Sequence, residues 1–254
     1  MASPYDIQTK KKEDIYLPRT VELANSLFQA FIKNNSLLGL KLAIVLSGAN
    51  KSIEFDDENR VILDVDNLVK IIKTSRKELS AQLKKVTNVA FSYVNSEGGI
   101  GHTHPMHSYE YIKNNKFLVL EVSSRAKELF IALGKNHYSF SQANADNLMN
   151  LKHKHSLRMQ LLLEQINSFD DDVAKRKRYT LEELNGFFGT KYTRYIDLKR
   201  KILEPAKKEI DFASSLTFDY EMVDTSSGTG RPKISEVVID IKDNNNLFTQ
   251  KNKN

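Results

Sequence analysis

The sequence predicts an α+β protein built from two tandem modules, each a helix, a tight turn, a second helix and then a β-hairpin. Three observations carry that expectation. Capping residues open paired helices at Ser75–Glu78 and at Thr180–Glu183, where a side-chain oxygen takes an otherwise orphaned backbone N–H. Each pair is followed by stretches whose apolar residues alternate, the period of a half-buried strand. A length of 254 residues with 40% hydrophobic content supports two cores of ordinary size. The expected bounds are 15–150 for the first module and 151–243 for the second, with 1–14 and 244–254 as flexible polar tails.

In the first module, Thr20 is placed to cap a helix through about Lys33, with Leu23, Leu27, Phe28 and Phe31 on one stripe. KLAIVLS suits a strand, IEFDDENRV a charged turn, and Asp66 opens a short helix ending near Lys73. After it, Ser75 and Glu78 frame the second motif helix, RKELSAQLKKV. VAFSYVN then reads as a strand, SEGGIGHTHPMH as a glycine-bearing loop serving as the wing, and SYEYIKNNKFLVLEV as two strands meeting at Asn114-Asn115. A helix-turn-helix followed by a β-hairpin is the winged-helix order, so the fold class is two tandem winged-helix domains.

The second module repeats the plan. HSLRMQLLLEQINSF carries Leu157, Leu161, Leu162 and Ile166 on a helical stripe, and DDDVAKRKR is a charged surface loop leading to Thr180. The helix LEELNGFF closes at Gly189, a residue suited to the left-handed position after a helix end. Beyond it, Tyr192, Tyr195, Ile196, Ile202, Leu203, Ala206 and Ile210 share one helical arc, while Arg194, Arg200, Lys201, Lys207 and Lys208 fall outside it. Lys199 projects close to the apolar arc and has to snorkel to its edge. Pro205 cannot donate to the Lys201 carbonyl and should kink the helix. LTFDYEMV and ISEVVIDIK form the hairpin, with Arg231 and Lys233 at its tip in TSSGTGRPK.

Charge distribution gives this segment its meaning. Lysine and arginine outnumber aspartate and glutamate by 38 to 32, and between Lys191 and Lys208 seven basic residues face two acidic ones. Most of the net excess therefore lies in one element, which favours a polyanion whose condensed counterions are released on binding. Arg194 and Arg200 are suited to bidentate base reading, and Lys191, Lys201, Lys207 and Lys208 to phosphate contact. Arg76, Lys77, Lys84 and Lys85 are the counterparts in the first module, with Arg76 the base reader. Two unlike modules, each covering about one turn of duplex, suit an asymmetric site of roughly two turns.

Other classes find little support. The absence of cysteine removes disulfide, thiolate-zinc and cysteine-nucleophile chemistry. The start MASPYDIQTKKKED lacks a secretory signal's apolar core, and Lys41 and Glu121 interrupt the longest apolar runs, so a cytoplasmic protein without a membrane partner is expected. SEGGIG and SSGTG lack the helix and lysine of a nucleotide-binding loop, and no cofactor is implied.

The run YIDLKRKILEPAKKEIDFASSLTFDYE resembles the signature of the theta-type plasmid replication initiator (Rep) family, whose members bind iterons through two winged helices. HKHSLRMQLLLEQI is similar to the first helix of that family's C-terminal domain, and TSRKELSAQLKKV lies where its N-terminal domain has its second motif helix. The similarity covers roughly residues 20 to 242. It implies a monomer that binds direct repeats in double-stranded origin DNA and helps open adjacent AT-rich DNA. It also implies contact with a host initiator, helicase and chaperones, and a homodimer, formed through the N-terminal domain, that represses the initiator's own promoter. Base reading by the resemblance falls to Lys199, Arg200 and Lys201 with Arg194.

Three alternatives stand beside this. A dimeric winged-helix repressor would use the same modules on a palindrome. A metal-dependent nicking enzyme would use His102, His104 and His107 with Tyr109 or Tyr111, but Thr103 stands where a bulky apolar residue would pack. FDDD at 169–172 fits a charge-balanced loop better than a metal site, and His153 and His155 fit interdomain or surface roles. Residues 125–150 are compatible with either a rigid spacer or a segment that rearranges.

Overall fold

The computed structural model describes residues 15, 17, 20–34, 36–47, 53–94, 98–131, 140–167, 175–224 and 234–244. Its first module runs β1 (Thr20–Ala24), α1 (Asn25–Lys33), α2 (Leu37–Val45), β2 (Arg60–Asp64), α3 (Val65–Ile71), α4 (Arg76–Thr87), β3 (Phe91–Val94), β4 (Ile100–Thr103), β5 (Met106–Ile112) and β6 (Phe117–Val122). Next come α5 (Ser124–Ile131), β7 (Phe140–Asn144), α6 (Ala145–Asn150) and α7 (Lys154–Asn167). The second module continues with β8 (Arg176–Tyr179), α8 (Leu181–Phe188), α9 (Tyr195–Leu198), a π-helical turn (Lys199–Leu203), α10 (Glu204–Ala213), β9 (Leu216–Asp224) and β10 (Ile234–Asp243).

Two antiparallel sheets have the same plan. One has the strand order β2-β6-β5 and the other β8-β10-β9, so in each the last strand lies between the strand preceding the helix pair and the first hairpin strand. Inward pairs such as Leu63 opposite Leu118, and Phe218 opposite Ile241, put alternate side chains on the helices. This shared order is the internal evidence that both modules are winged helices.

The strand preceding each helix pair is a correction to the sequence expectation. IEFDDENRV contains the turn and also the start of β2, and the stretch before Thr180 ends as β8. Both strands are short edge strands, and RKRY carries three charges, a composition that protects an exposed edge but imitates a loop. Residues 168–174, including the aspartates of FDDD, lie outside the described residues.

Three further differences are in the first module. Thr20–Ala24 is a strand, antiparallel to Phe140–Asn144, and helix begins only at Asn25. The first five residues of KLAIVLS are the second half of α2, in which every residue from Leu38 to Val45 is buried. A helix covered on all sides has no polar face, so its sequence lacks the 3.6-residue period and resembles a buried strand. Helix α3 is capped two residues earlier than expected, by Asp64, whose carboxylate accepts from the Asn67 N–H at 3.0 Å. At α4 the Ser75 hydroxyl accepts from the Glu78 N–H (3.1 Å), but the Glu78 carboxylate takes the Thr74 hydroxyl (2.9 Å), so the box is half formed.

The buried polar residues hold elements together. Lys41, 4% exposed, donates from Nζ to the carbonyls of Ile72 (2.9 Å) and Met149 (3.1 Å) at the ends of α3 and α6. Burial, then the neighbouring Lys73, lowers its pKa to about 8. Arg158, fully buried in α7, donates to the carbonyls of Ile32 in α1 and Phe188 in α8, joining the modules through one side chain. The stripe Leu157, Leu161, Leu162 and Ile166 is buried as expected.

Candidate nucleic-acid interface

The second helix pair is built by local chemistry. The Thr180 N–H and hydroxyl donate to Glu183 Oε2 (2.8 and 3.0 Å), and the Glu183 N–H donates to Thr180 Oγ1 (3.2 Å), completing the capping box of α8. Gly189 ends the helix at φ 61°, in the left-handed region. Asn185 then shapes the turn: its Oδ1 accepts from the Thr190 hydroxyl (2.8 Å) and the Tyr192 N–H (2.9 Å), and its Nδ2 donates to the Tyr192 carbonyl (2.8 Å). Tyr195 Oη accepts from the Leu181 N–H (2.9 Å) and donates to the Ser235 carbonyl, fixing the start of the recognition helix to α8 and β10.

Pro205 marks an irregularity in that helix. It lies in the first turn of α10, cannot supply an N–H to Lys201, and its ring collides with that carbonyl in a regular helix. The chain responds with the π turn, in which the Glu204 N–H reaches back to the Lys199 carbonyl. Leu198, Ile202, Leu203, Ala206 and Ile210 are buried beneath it. Ile196, expected in the apolar arc, is 39% exposed, and Leu198 takes its place in the core.

The cations fall into distinct groups. Arg200, Lys201, Lys208 and Lys191 are exposed, and among the described residues none has a carboxylate within ion-pair distance. The Lys201 ammonium lies 5.2 Å from the Tyr192 ring centroid. Arg194, exposed, pairs with Asp197 (2.8 Å) and by that hydrogen bond holds the Asp197 carboxyl below its usual range. Lys199 is half-buried and 3.7 Å from Glu204, consistent with a snorkelling lysine. Lys207 points toward β9: it lies 3.2 Å from Asp211 and 3.3 Å from Asp219, and donates to the Phe218 carbonyl at 2.8 Å. Arg231 and Lys233 lie outside the described residues.

In the first module Arg76 is engaged at the base of α4, pairing with Asp66 (2.6 Å) and donating to the Asn115 carbonyl (3.1 Å). Lys77, Lys84 and Lys85 are exposed along the helix. The wing is not the glycine-bearing loop. Ile100–Thr103 pairs with Phe91–Val94 as a separate hairpin, and the connection between the sheet's own hairpin strands is the tight turn 113–116. Lys113, Asn114 and Asn115 have φ of 50°, 56° and 63° there, and Lys113 and Lys116 lie 5.9 and 5.4 Å from the Phe117 ring. The Asn-Asn signal locates this turn in the sequence, but nothing local marks the two flanking lysines as a wing.

The histidines diverge. Nδ1 of His102 meets the Ser92 hydroxyl (2.9 Å), Nδ1 of His104 the Val89 carbonyl (3.0 Å), and Nδ1 of His107 lies 3.9 Å from Glu121. Tyr111 Oη is 2.9 Å from the Ser80 hydroxyl of α4. No cluster of three or more metal-ligating side chains occurs among the described residues. His155 packs edge-on against Phe188 at 6.0 Å, and burial, then Lys154 and Arg158, push its pKa down to about 4.

The modules are also joined behind the recognition helix. Glu209 of α10 accepts from the N–H groups of Lys152 (2.7 Å) and His153 (3.4 Å), at the entry to α7. Asn147 of α6 donates to Ser215 (3.0 Å) and Glu164 (3.1 Å) and accepts from the Ser215 N–H (3.1 Å). Asn150 donates to the Ala213 carbonyl (3.3 Å) and accepts from Lys73.

Two winged helices in one chain, the second presenting a recognition helix with exposed cations that have no ion pair among the described residues, define a duplex-binding protein. Residues 20–164 match the family model described as "Initiator Replication protein, WH1", and residues 180–241 match "Initiator Rep protein, WH2". The chain belongs to this family of replication initiators. A solved structure described as "Crystal structure of Pi initiator protein in complex with iteron DNA" is similar with a TM-score of 0.65 at 15% identity, over 89% of this chain and 97% of that one. No curated protein matches the chain.

Proposed function

We propose that the protein initiates plasmid replication by binding origin direct repeats, promotes opening of the adjacent duplex and recruits the host initiator, helicase and chaperones. The observation that carries this is the repeated sheet order with unlike recognition helices, which gives one chain two different DNA-facing surfaces. An asymmetric repeat of about two helical turns fits that arrangement. The bound form is the monomer, and a homodimer through the first module represses the protein's own promoter. The domains are 15–150 and 151–243, with α7 hydrogen-bonded to both.

Arg194 and Arg200 read bases, while Lys191, Lys199, Lys201 and Lys208, with Lys77, Lys84 and Lys85, hold phosphates. Lys113 and Lys116 join them as the first wing, and Arg231 and Lys233 as the second. Arg76 and Lys207 act chiefly by positioning their helices, a role supported by their internal pairs. The protein works without catalysis in the cytoplasm. His102, His104 and His107 have separate partners, and no described helix is long and apolar enough to cross a membrane. Selection of duplexes from a random library tests the reading. An asymmetric motif of about two turns is expected, and a palindrome would transfer the assignment to a dimeric repressor.

A further inference from the structure

The π turn before Pro205 changes which residues face outward. Four residues of α-helix overshoot a full turn by about 40°, so a line through positions i, i+4, i+8 and i+12 drifts by about 120°. One extra residue in a π turn returns about 100° of this. Ile196, Arg200, Glu204 and Lys208 consequently stack along nearly one line opposite the buried Leu198, Ile202, Leu203, Ala206 and Ile210, and all four are exposed. The Glu204 carboxylate in that line has a partner in Lys199, but a surface made only to hold phosphates has no use for an exposed branched hydrocarbon. A surface that reads base edges does have a use for it, because the major groove displays a methyl group on thymine alone.

Ile196 is the second residue of α9, at the end of the recognition helix that enters the groove first in helix-turn-helix proteins. Its neighbour Tyr195 is fixed to the Leu181 N–H and the Ser235 carbonyl, so the backbone carrying Ile196 is held from two sides. The β-branched side chain has one dominant rotamer in a helix and therefore loses little freedom on contact. We infer that Ile196 is a specificity-determining residue, which recognises the C5-methyl group of a thymine in the major groove of the bound repeat. The inference rests on the initiator reading above and adds a base preference at one position.

The experiment uses the full chain and the duplex that it selects from a random library, with each thymine replaced singly by uracil, which removes only the methyl group. Wild type should lose about fourfold in affinity at one thymine, the loss expected for one buried methyl group. Ile196→Ala should bind the thymine and uracil duplexes equally there while keeping the wild-type salt dependence and thermal midpoint. Ile196→Val, which keeps a shorter branched side chain, should retain part of the discrimination and guards against a folding artefact in the alanine variant. A wild-type scan without a sensitive thymine, or one that Ile196→Ala reproduces, overturns the inference and leaves the initiator reading standing. Wild type that selects no sequence overturns both.

Discussion

Replacing Lys41 by methionine removes a buried ammonium while roughly keeping its volume. In the folded protein Lys41 is 4% exposed with a pKa of about 8, against an ordinary value of 10.5. Below pH 8 it is charged in both the folded and unfolded chains, and the folded state carries the cost of burial. Between pH 8 and 10.5 the unfolded chain holds a proton that the folded one has released, so stability rises with pH through that window. The gain is about 1.4 kcal/mol per pH unit and about 3 kcal/mol over the full interval. Neutral lysine can still donate to the Ile72 and Met149 carbonyls, so those bonds persist as the proton leaves. Urea unfolding at steps from pH 7 to 9.5 should show wild type gaining about 2 kcal/mol more than Lys41→Met between pH 8 and 9.5. The offset at pH 7 mixes lost hydrogen bonds with relieved burial and has no fixed sign. Parallel profiles from pH 8 to 9.5 would refute the assignment of a desolvated, charged Lys41.

His155 should act at the acid end: with a folded pKa of about 4 against 6.5, its contribution is complete above pH 6.5 and is lost as pH falls toward 4. His155→Leu should flatten that limb of the stability profile, and an unchanged slope would show that the imidazole charges freely in the fold. Arg200→Ala should cost about 1–3 kcal/mol on the selected duplex and relax one base position, whereas Lys208→Ala should weaken all sequences alike and reduce the salt slope by about 0.9. Lys207→Ala should lower thermal stability with little change in salt slope, because its partners are Asp211, Asp219 and the Phe218 carbonyl. A salt-slope loss equal to that of Lys208→Ala would overturn that distinction.

The second module was the more legible because its signals are local. Thr180 and Glu183 are three residues apart, Gly189 follows its helix directly, and β9 alternates plainly. The first module depends on distant partners. Thr20–Ala24 becomes a strand only through Phe140–Asn144, and the apolar KLAIVLS is a helix because neighbours cover it on every side. The wing differs from the sequence expectation because glycines in SEGGIG signal flexibility more loudly than the lysine-flanked Asn114-Asn115 turn does. A uniform helical period places Ile196 in the core, because it aligns there with Leu203 and Ile210 at seven-residue spacing. Pro205 signals a break in the hydrogen-bond ladder, but an inserted π residue also rotates everything before it against everything after it.

Helix α6 spans only Ala145–Asn150 yet is gripped from both modules, by Lys41 and Lys73 on one side and by Ser215 and the Ala213 carbonyl on the other. Glu209 adds a second clasp to the chain just beyond it. Such a part works like a cotter pin: its own length is trivial, but the two larger bodies cannot slide past each other while it is seated. A tilt of the recognition helix on DNA therefore has a path of a few hydrogen bonds to the ends of α3 and α6. With each module on one half of a bound repeat, as proposed above, the halves would be read in a fixed phase, and inserting or deleting a single base pair between them should be more damaging than many substitutions within either half.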